Sequence, residues 1–490
     1  MVDIPSRYEL GAAGLTGAAG VAGSFAVAGY TRSFVAAPID AAVVTATPGP
    51  VVAFMIENVG AEAHLLHIGL ALAIAVGLFG AAALGGVRVA ERLDSRLAGG
   101  LLAGLAAWAL AALLTRAPAL ALGAAVPVAV GAAAGPRRTP PELDASRRRA
   151  LGSVAGAVAF LGAATGVGVL RSGTDPLGAA PGADGAEVRL QEAEERSLSV
   201  ESDELPGLVS EIGNFYNVDI AEFEPELPAE EWSLTVTGET ERGLTVDFAD
   251  LLERPVEHRF VTLRCVGEDL NGRKLDTAVW TGTPIAPLLD AVDPEGECGC
   301  VVLRGEDGYF VEYPIEVLRD GFLAWGMNGK ELPAQHGHPV RILAPGHWGE
   351  TNVKWLTEVE VLDREVDGYW EQRGWEGTGP VNTVAKLWEE GVTQLEDGRV
   401  ELAGHAYAGT RGVDAVEVST DGGDTWVEAT LSDPLPDEDV WRQWRHRFVP
   451  EGSHDVVVRA VDGTGTVQPG ERSASFPSGA SGWVRRTVGV

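Results

Sequence analysis

The sequence predicts a multi-domain protein with an N-terminal transmembrane helix bundle, a mixed α+β domain and a C-terminal immunoglobulin-like β-sandwich. Uncharged apolar stretches close to the roughly 20 residues that cross a bilayer occur only in the first third of the chain. Short alternating and apolar runs typical of strands follow them. The charge changes at the same place, from 11 basic and 9 acidic residues up to Leu170 to 26 and 61 beyond it.

The composition excludes several classes of protein. The 490 residues are 46% hydrophobic, which is enough for about three domains with sizeable cores. A net charge of −33 makes nucleic acid a poor partner. The 3 cysteines cannot form a disulfide framework or a two-pair zinc site. An acidic, lysine-poor chain suits concentrated salt, or simply an acidic, arginine-favouring proteome.

Residues 1–171 are predicted to anchor the protein in the lipid bilayer through about five transmembrane helices. The uncharged stretches are 10–31, 63–87, 97–115, 117–135 and 150–170. The stretch 41–56 is shorter and is broken by Thr47-Pro48-Gly49-Pro50, which favours a re-entrant or interfacial segment. His64 and His67 share one helix and cannot be opposite ligands of one haem iron, so we expect a packing or interfacial role.

Arginines predict the orientation of this anchor. Arg88, Arg92 and Arg96 follow the second stretch, and the five arginines of 137–149 follow the fourth. Positively charged loops stay in the cytoplasm, so everything after Arg171 is expected on the extracytoplasmic side of the cell membrane. The arginines before the fifth stretch also resemble a twin-arginine export signal, with simple topological anchoring as the alternative.

The remainder is divided by composition and periodicity. Residues 172–205 are rich in Gly, Ala, Pro and Glu, which predicts a solvated linker. Residues 206–394 form the predicted α+β domain, with strand patterns at 233–238, 260–265 and 353–362 and helical patterns at 284–292 and 315–320. Residues 395–490 have short strands between Gly and Asp turns, typical of a β-sandwich that packs or dimerises.

Cys265 is the first candidate for chemistry. It ends an apolar strand and enters the polar loop Val266-Gly-Glu-Asp-Leu-Asn-Gly272. A thiolate there could bind a soft metal or act as a nucleophile, and a purely structural cysteine is the alternative.

The second candidate is the segment from His336 to Trp355. A Pro-Gly loop between two strand patterns brings His336, Arg341, Asn352 and Lys354 into one segment with exposed backbone amides. Arginine forks and lysine point charges bind phosphate. A surface loop that pairs with the abundant carboxylates is the alternative.

Together these segments resemble the sulfite oxidase family of molybdopterin enzymes, particularly its membrane-anchored prokaryotic members. The resemblance covers most of the soluble part of the chain. It rests on motifs in a fixed order: Asn214-Phe-Tyr-Asn-Val-Asp219, Cys265 with Trp280-Thr-Gly282, Asp307-Gly-Tyr309, Met327-Asn-Gly329, the segment His336–Trp355 and Gly368-Tyr-Trp-Glu-Gln-Arg-Gly374.

The resemblance implies roles for these residues. Cys265 would be the protein thiolate on molybdenum, whose other sulfur ligands come from the pterin. The residues that would hold the molybdopterin cofactor or line its cleft are Tyr216, Asn217, Asp307, His336, Arg341, Asn352 and Lys354. Trp375 aligns with a tyrosine that hydrogen-bonds the oxygen on the metal in sulfite oxidisers, so Cys265, Asp307 and Trp375 are the candidate catalytic residues. The C-terminal domain resembles the dimerisation domain of the family, which implies a homodimer.

The substrate is where the sequence departs from sulfite oxidisers. Glu268 and Asp269 follow Cys265 where those enzymes place arginine, and two carboxylates facing the pocket would repel sulfite. Arg264, Arg273, Lys274 or Arg373 could compensate. We therefore expect a neutral or weakly charged, sulfur-containing substrate that undergoes two-electron oxygen-atom transfer, with sulfite oxidation as the alternative.

The sequence contains no Cys-x-x-Cys-His haem motif and no cysteine cluster for iron and sulfur. A separate one-electron carrier is therefore expected: a copper or haem protein, or a quinone. Cys298 and Cys300 could form a local disulfide or remain thiols. The alternative of another class is a metal-free, membrane-tethered binding or adhesion protein on the same fold.

Overall fold

The computed structural model describes residues 5–59, 63–134, 160–169 and 177–489. They form two compact units. The first contains the described residues before Pro176 and the short segment Ile220–Glu226. The second contains Leu177–Asp219 and the chain from Leu227 onward.

The first unit is helical. Its helices are α1 (Arg7–Ala28), α2 (Ala36–Ala46), α3 (Gly49–Asn58), α4 (Ala63–Arg92), α5 (Arg96–Thr115), α6 (Leu122–Ala134) and α7 (Phe160–Val169). Three of them, α1, α4 and α5, are long and apolar enough to cross a membrane. The predicted fourth span contains only the shorter α6, and most of the fifth lies outside the described residues, apart from α7. The stretch 41–56 is divided between α2 and α3, which meet at Thr47-Pro48.

Glycines allow these helices to approach one another closely. A Cβ atom on Gly17 of α1 would lie 2.2 Å from the carbonyl oxygen of Val76 on α4. A Cβ atom on Gly23 would lie 2.2 Å from the carbonyl oxygen of Gly123 on α6. Small residues at helix contacts are typical of apolar bundles, where close packing replaces the hydrophobic effect as the source of stability.

His67 has a partner within this unit. Its Nδ1 atom lies 2.7 Å from Oδ1 of Asp40, which is only 2% exposed. A buried carboxylate requires such a partner. In the same unit the ring of Phe223, from the segment Ile220–Glu226, packs edge-on against Phe34.

The predicted linker 172–205 is wrong from Leu177 onward. Residues Ala186–Arg196 form helix α8, and Ala186 and Ala193 are buried. Trp325 donates its indole N–H to the carbonyl of Pro181 at 3.0 Å. Alanine side chains bury little area each, so their helical spacing gives a weak hydrophobic signal in the sequence.

The α+β domain contains two sheets. Its strands are β1 (Ser233–Gly238), β2 (Leu244–Asp247), β3 (Glu257–Arg264), β4 (Leu275–Pro284), β5 (Cys300–Gly305), β6 (Phe310–Pro314), β7 (Phe322–Met327), β8 (Lys330–Glu331), β9 (Arg341–Leu343) and β10 (Leu356–Leu362). One sheet has the order β3-β4-β7-β8 with β9 also on β7, and the other has the order β2-β1-β10-β5-β6. Helices α9 (Phe248–Leu252), α10 (Ala286–Val292) and α11 (Ile315–Arg319) connect the strands.

The predicted elements of this domain are confirmed with shifted ends. The clearest shift is at β10, which begins at Leu356 rather than at Val353. Trp355 has a φ of +49°, in the left-handed region, so the backbone cannot continue the strand there. Lys354 consequently lies in the loop that precedes the strand.

The C-terminal domain is a β-sandwich. Its strands are β11 (Val384–Ala385), β12 (Val392–Gln394), β13 (Val400–Tyr407), β14 (Val413–Ser419), β15 (Val427–Glu428), β16 (Thr430–Leu431), β17 (Arg442–Phe448), β18 (His454–Asp462) and β19 (Val484–Val488). The sheets have the orders β11-β13-β17-β16, with β12 also on β13, and β15-β14-β18-β19. Because β11 and β12 pair with β13, the predicted boundary at 394 is too late. These two strands are too short to produce an alternating pattern.

Candidate functional site

Cys265 begins the hairpin loop between β3 and β4. Its backbone N–H donates to the carbonyl of Lys274 at 3.0 Å, one step beyond the strand pair Arg264 and Leu275. Burial raises the pKa of the Cys265 thiol, while the charge of Lys274 and a backbone N–H from Gly267 act in the opposite direction. The thiol is half-buried, and the charge of its cross-strand neighbour Lys274 opposes the effect of burial on its pKa.

Tyr216 links Cys265 to the basic segment His336–Trp355. Its backbone N–H donates to Oδ2 of Asp276 at 2.9 Å, and its ring stacks on Phe215. Burial raises the pKa of Tyr216 well above its usual value, and the charges of Cys265 and Arg341 act on the same phenol. Phe215, on which Tyr216 stacks, also packs edge-on against His336, so this aromatic pair contacts the predicted phosphate-binding segment.

Gly349 allows the loop before β10 to approach the thiol. A Cβ atom there would lie 2.8 Å from the hydroxyl of Tyr216 and 3.1 Å from the carbonyl oxygen of Arg264, the residue before Cys265. Any larger residue would push the loop away from the hairpin.

His336 and Arg341 form the buried centre of the basic segment. The Arg341 guanidinium donates to the carbonyls of His336 at 3.1 Å and Asn352 at 2.9 Å, and it lies over the Trp280 ring. Burial lowers the pKa of His336 to about 3, helped by the charges of Lys354 and Arg341. The buried polar atoms of this described segment that have no hydrogen-bond partner include Nε2 of His336 and Nε of Arg341. Such atoms are costly unless a bound group satisfies them, so these residues fit an anionic or polar cofactor.

Lys354 lies at the same site, with Asp307 beside it. Its ammonium donates to the side chain of Asn217, to Asp219 at 2.8 Å and to the carbonyl of Gln335 at 2.7 Å. Burial lowers the pKa of Lys354, and the charges of Asp219 and Asp307 oppose that change. The structure thus brings together Asn217, Asp307 and Lys354 as the sequence predicted.

Asn352 organises the loop. Its Oδ1 atom accepts from the backbone of Ala344 at 2.8 Å, and its Nδ2 atom donates to the carbonyl of Trp348 at 3.1 Å. Because both ends of the amide are occupied within the protein, we expect Asn352 to shape the loop that carries Gly349.

Trp375 lies in an aromatic cluster. Its ring packs edge-on against Trp370 and Phe476, and its buried indole nitrogen has no partner among the described residues. Two residues later, Gly377 lies against the carboxyl group of Glu350. The segment therefore runs past the loop that also carries Gly349.

The expectation that Glu268 and Asp269 both repel an anionic substrate is wrong. Glu268 is 1% exposed, and its carboxylate lies 2.5 Å from Nζ of Lys386 and 3.1 Å from Nε of Arg264. Burial would raise the pKa of Glu268, but the two cations hold it below its usual range. Asp269 is exposed to solvent. The sequence could not reveal this because Lys386 lies more than a hundred residues away.

Most of the cations that were expected to offset the charge of these carboxylates are engaged elsewhere. Arg264 is paired with Glu268, Arg273 with Glu390, and Arg373 lies over the ring of Tyr369. Lys274 remains as the cation that acts on Cys265. In the described residues no group of at least 3 His, Cys, Asp or Glu side chains is placed to hold a metal ion. A metal at Cys265 would consequently take most of its ligands from a bound group.

Sequence reasoning missed a pair of carboxyl groups, Glu350 and Glu371. Their oxygens are buried, and the two side chains are close enough to share a hydrogen bond if one carries a proton. Burial raises the pKa of Glu350, and the Glu371 carboxyl raises it further. Both residues lie inside quoted motifs, but acidic residues are so abundant in this chain that nothing in the sequence distinguishes them.

Cys298 and Cys300, which the sequence left open, form a disulfide in the structure. It lies at the beginning of β5. Cys265 is the free cysteine of the described residues.

Comparisons with known proteins agree with this arrangement. The sequence model of the oxidoreductase molybdopterin binding domain matches residues 221–370, and that of the Mo-co oxidoreductase dimerisation domain matches residues 380–477. The second match begins near β11, the first strand of the C-terminal domain in the structure.

Curated relatives match about half of the chain. Mitochondrial sulfite oxidase of Mus musculus is 31% identical over 300 residues, which is 50% of this chain and 54% of that protein. Sulfite oxidase of Gallus gallus is 31% identical over 297 residues, which is 50% and 65% of the two chains. An NADPH nitrate reductase of Beauveria bassiana is 27% identical over 331 residues. The chain spans about half the length of the first of these curated relatives.

A solved structure has the same fold. The crystal structure of the sulfane dehydrogenase SoxCD from Paracoccus pantotrophus superimposes with a TM-score of 0.51 at 20% identity. The alignment covers 61% of this chain and 90% of that one. The two consecutive family domains and the similarity to sulfite oxidases over about half of the chain lead to one conclusion. The chain belongs to the sulfite oxidase family of molybdopterin-dependent oxidoreductases.

Proposed function

We propose that this protein is a molybdenum-dependent oxidoreductase that transfers an oxygen atom between water and a small sulfur-containing substrate. The close approach of Gly349, in the basic segment, to the hydroxyl of Tyr216 and to the backbone beside Cys265 carries the proposal. One free, half-buried thiol and a cluster of cationic and unsatisfied polar atoms are the donor set that a metal on an anionic organic carrier requires.

Different residues would bind different parts of the cofactor. Cys265 would bind the metal as thiolate, and Nε2 of His336 and Nε of Arg341 would bind polar atoms of the pterin or its phosphate. Lys354 would supply a nearby positive charge. When bound, the cofactor supplies the two-electron oxygen-atom chemistry. Trp375 and Asp307 would line the cleft.

Sulfite is a second candidate substrate. Glu268 is neutralised by Lys386 and Arg264, so it does not oppose an anion at the thiol. Lys274 lies across the hairpin from Cys265, and residues directly opposite on paired strands project from the same face. Its charge would attract an anionic substrate rather than repel it.

Electrons would leave singly to a separate carrier, a copper or haem protein or a quinone. The match to a dimerisation domain supports a homodimer. The three long apolar helices support an anchor in the cell membrane. The arginines after the second and fourth apolar stretches favour a topology that places the catalytic domain on the extracytoplasmic side.

Metal analysis of the purified full chain tests the proposed function. We expect molybdenum in the wild-type protein and its loss in Cys265→Ser, with Cys265→Ser still folded by circular dichroism. The metal-loaded protein should reduce a one-electron dye with sulfur-containing substrates. A folded wild-type protein that is produced in cells making the cofactor and contains no molybdenum would instead support a binding or adhesion protein.

A charge test separates the two substrate classes. Lys274→Gln should raise the KM for sulfite several-fold and leave the KM for a neutral sulfoxide unchanged. Lys330→Gln, which removes an exposed lysine on β8, is the matched control. Equal effects of Lys274→Gln on both substrates would exclude a role of this charge in substrate selection.

A further inference from the structure

The loop that carries Cys265 is held by the C-terminal domain. Residues 382–388, which include β11, are hydrogen-bonded to this loop, and we call them the clamp. The side-chain amide of Asn271 in the loop donates to the carbonyl of Leu387 at 2.8 Å and accepts from the backbone N–H of Leu387 at 3.0 Å. Asn271 is neutral, so its replacement would remove these contacts without changing any charge near the thiol.

The backbone of the loop also binds the clamp. The carbonyl of Gly272 accepts from Nζ of Lys386 at 3.0 Å and from the indole N–H of Trp388 at 2.9 Å. Movement of the loop would break both bonds. Because Lys386 is fully buried, water could not replace the partner that its ammonium would lose.

Glu268 connects the clamp to Cys265. Its carboxylate lies 2.5 Å from Nζ of Lys386 and accepts the backbone N–H of Lys274 at 2.6 Å. The backbone N–H of Glu268 donates to the carbonyl of Cys265 at 3.2 Å, and that of Cys265 donates to the carbonyl of Lys274 at 3.0 Å. One buried carboxylate therefore joins the candidate metal ligand and its cross-strand neighbour to a lysine of another domain.

Arg264, the residue before Cys265, is bound to the same domain. It is fully buried, and its Nε atom donates to Glu268 at 3.1 Å. The rest of its guanidinium donates to the carbonyls of Asn382 at 2.8 Å and Ala480 at 3.3 Å. The C-terminal domain therefore fixes the chain on both sides of Cys265.

Stability alone does not account for this arrangement. A buried ion pair is often no more stabilising than apolar residues that fill the same space. Groups behind a metal ligand, in contrast, orient that ligand and tune the metal. The contacts of the clamp are made with the loop of the free cysteine, where such orientation matters.

We propose that the clamp fixes the position of the Cys265 thiolate on the metal, with Asn271, Glu268 and Lys386 as positioning residues. The inference rests on the proposed function, in which this thiolate binds molybdenum. The C-terminal domain thereby shapes the metal centre without supplying a ligand to it.

Hydrogen exchange of the full chain measures whether the clamp holds the loop. In Asn271→Ala the amides of residues 265–274 should exchange about tenfold faster, because hydrogen bonds that oppose local opening are lost. Val418→Ala, which removes buried methyl groups from β14 in the other sheet of the sandwich, controls for a general loss of stability and should leave the loop unchanged. Wild-type exchange in Asn271→Ala, or equal acceleration in both variants, would overturn the clamp.

Electron paramagnetic resonance of the molybdenum-loaded protein reports on the thiolate itself. The spectrum of pentavalent molybdenum depends on the orientation of its sulfur ligands, so it should shift in Asn271→Ala and stay unchanged in Val418→Ala. Lys386→Arg, which keeps a charge beside Glu268, should shift the spectrum less than Lys386→Met. A wild-type spectrum in Asn271→Ala would overturn the positioning role.

The proposed function and the clamp can fail separately. A wild-type protein without molybdenum would overturn the proposed function. The rate at which iodoacetamide labels Cys265 would then decide whether the clamp fixes the thiol, because the chain has 3 cysteines and the others form the disulfide. Faster labelling in Asn271→Ala than in Val418→Ala would support the clamp, and equal rates would overturn it.

Discussion

Replacement of Lys386 by methionine should destabilise the second unit by about 3 kcal/mol. Lys386 Nζ lies 2.5 Å from the Glu268 carboxylate, and the two side chains are 0% and 1% exposed, so water cannot replace the lost partner. Removal of one partner of a buried pair costs about 3–5 kcal/mol. The lower value applies because Arg264 remains 3.1 Å from the carboxylate.

Thermal unfolding of the full chain in detergent, followed by tryptophan fluorescence, measures this effect. A loss of about 3 kcal/mol should lower Tm by roughly 5 °C, because a unit of about 300 residues gains about 2.1 cal/mol/K per residue on unfolding. Lys330→Met is the exposed control and should leave Tm unchanged. The double variant Glu268→Gln with Lys386→Met should be no more stable than Lys386→Met alone, because it also leaves the buried Arg264 guanidinium without its carboxylate. Equal Tm values for Lys386→Met and Lys330→Met would refute the reasoning.

Three other predictions concern the site and its surroundings. Gly349→Ala should reduce the molybdenum content while the protein stays folded, because the new methyl group would contact Tyr216 and the backbone beside Cys265. Metal analysis together with circular dichroism checks this. A folded variant with the wild-type molybdenum content would contradict it. His336→Gln should weaken cofactor retention on gel filtration, since it alters the buried Nε2 that has no protein partner, whereas unchanged retention would exclude His336 from the binding site. Burial raises the pKa of Asp439 to about 7, although hydrogen bonds from Tyr407 and the backbone of Gly346 act in the opposite direction. The contribution of Asp439 to stability is therefore complete below pH 3.8 and is lost as pH rises through 7. Asp439→Asn should flatten the dependence of Tm on pH between 5 and 8, and an unchanged slope would count against this assignment.

The architecture was largely predictable because it depends on patterns within short segments. The long apolar helices follow from runs of uncharged residues, and β1 and α10 follow from their local periodicity. The helix α8 was missed because its buried face consists of alanines, which resemble a solvated linker in composition. The ends of β10 were set by the left-handed backbone of Trp355, which no periodicity reveals.

The site was predictable only where its polar and charged residues lie in one short segment of the sequence. His336, Arg341 and Lys354 lie close together in the sequence, and the structure places them together. The state of Glu268 depends on Lys386, which a different domain supplies. The residues around Glu268 in the sequence therefore suggested, wrongly, that it repels an anionic substrate. The pairing of Glu350 with Glu371 likewise depends on the fold, and neither residue is unusual in so acidic a chain.

The excursion of residues 220–226 into the helical unit has a practical consequence. Asp219 binds Lys354 at the cofactor site, yet Phe223, only four positions later, is 4% exposed among the residues of the apolar bundle. Deleting the N-terminal helices to obtain a water-soluble enzyme would uncover this phenylalanine on a loop whose preceding end reaches the catalytic cleft. A shortened version should therefore carry a polar residue in place of Phe223, since otherwise self-association would be mistaken for a property of the native protein.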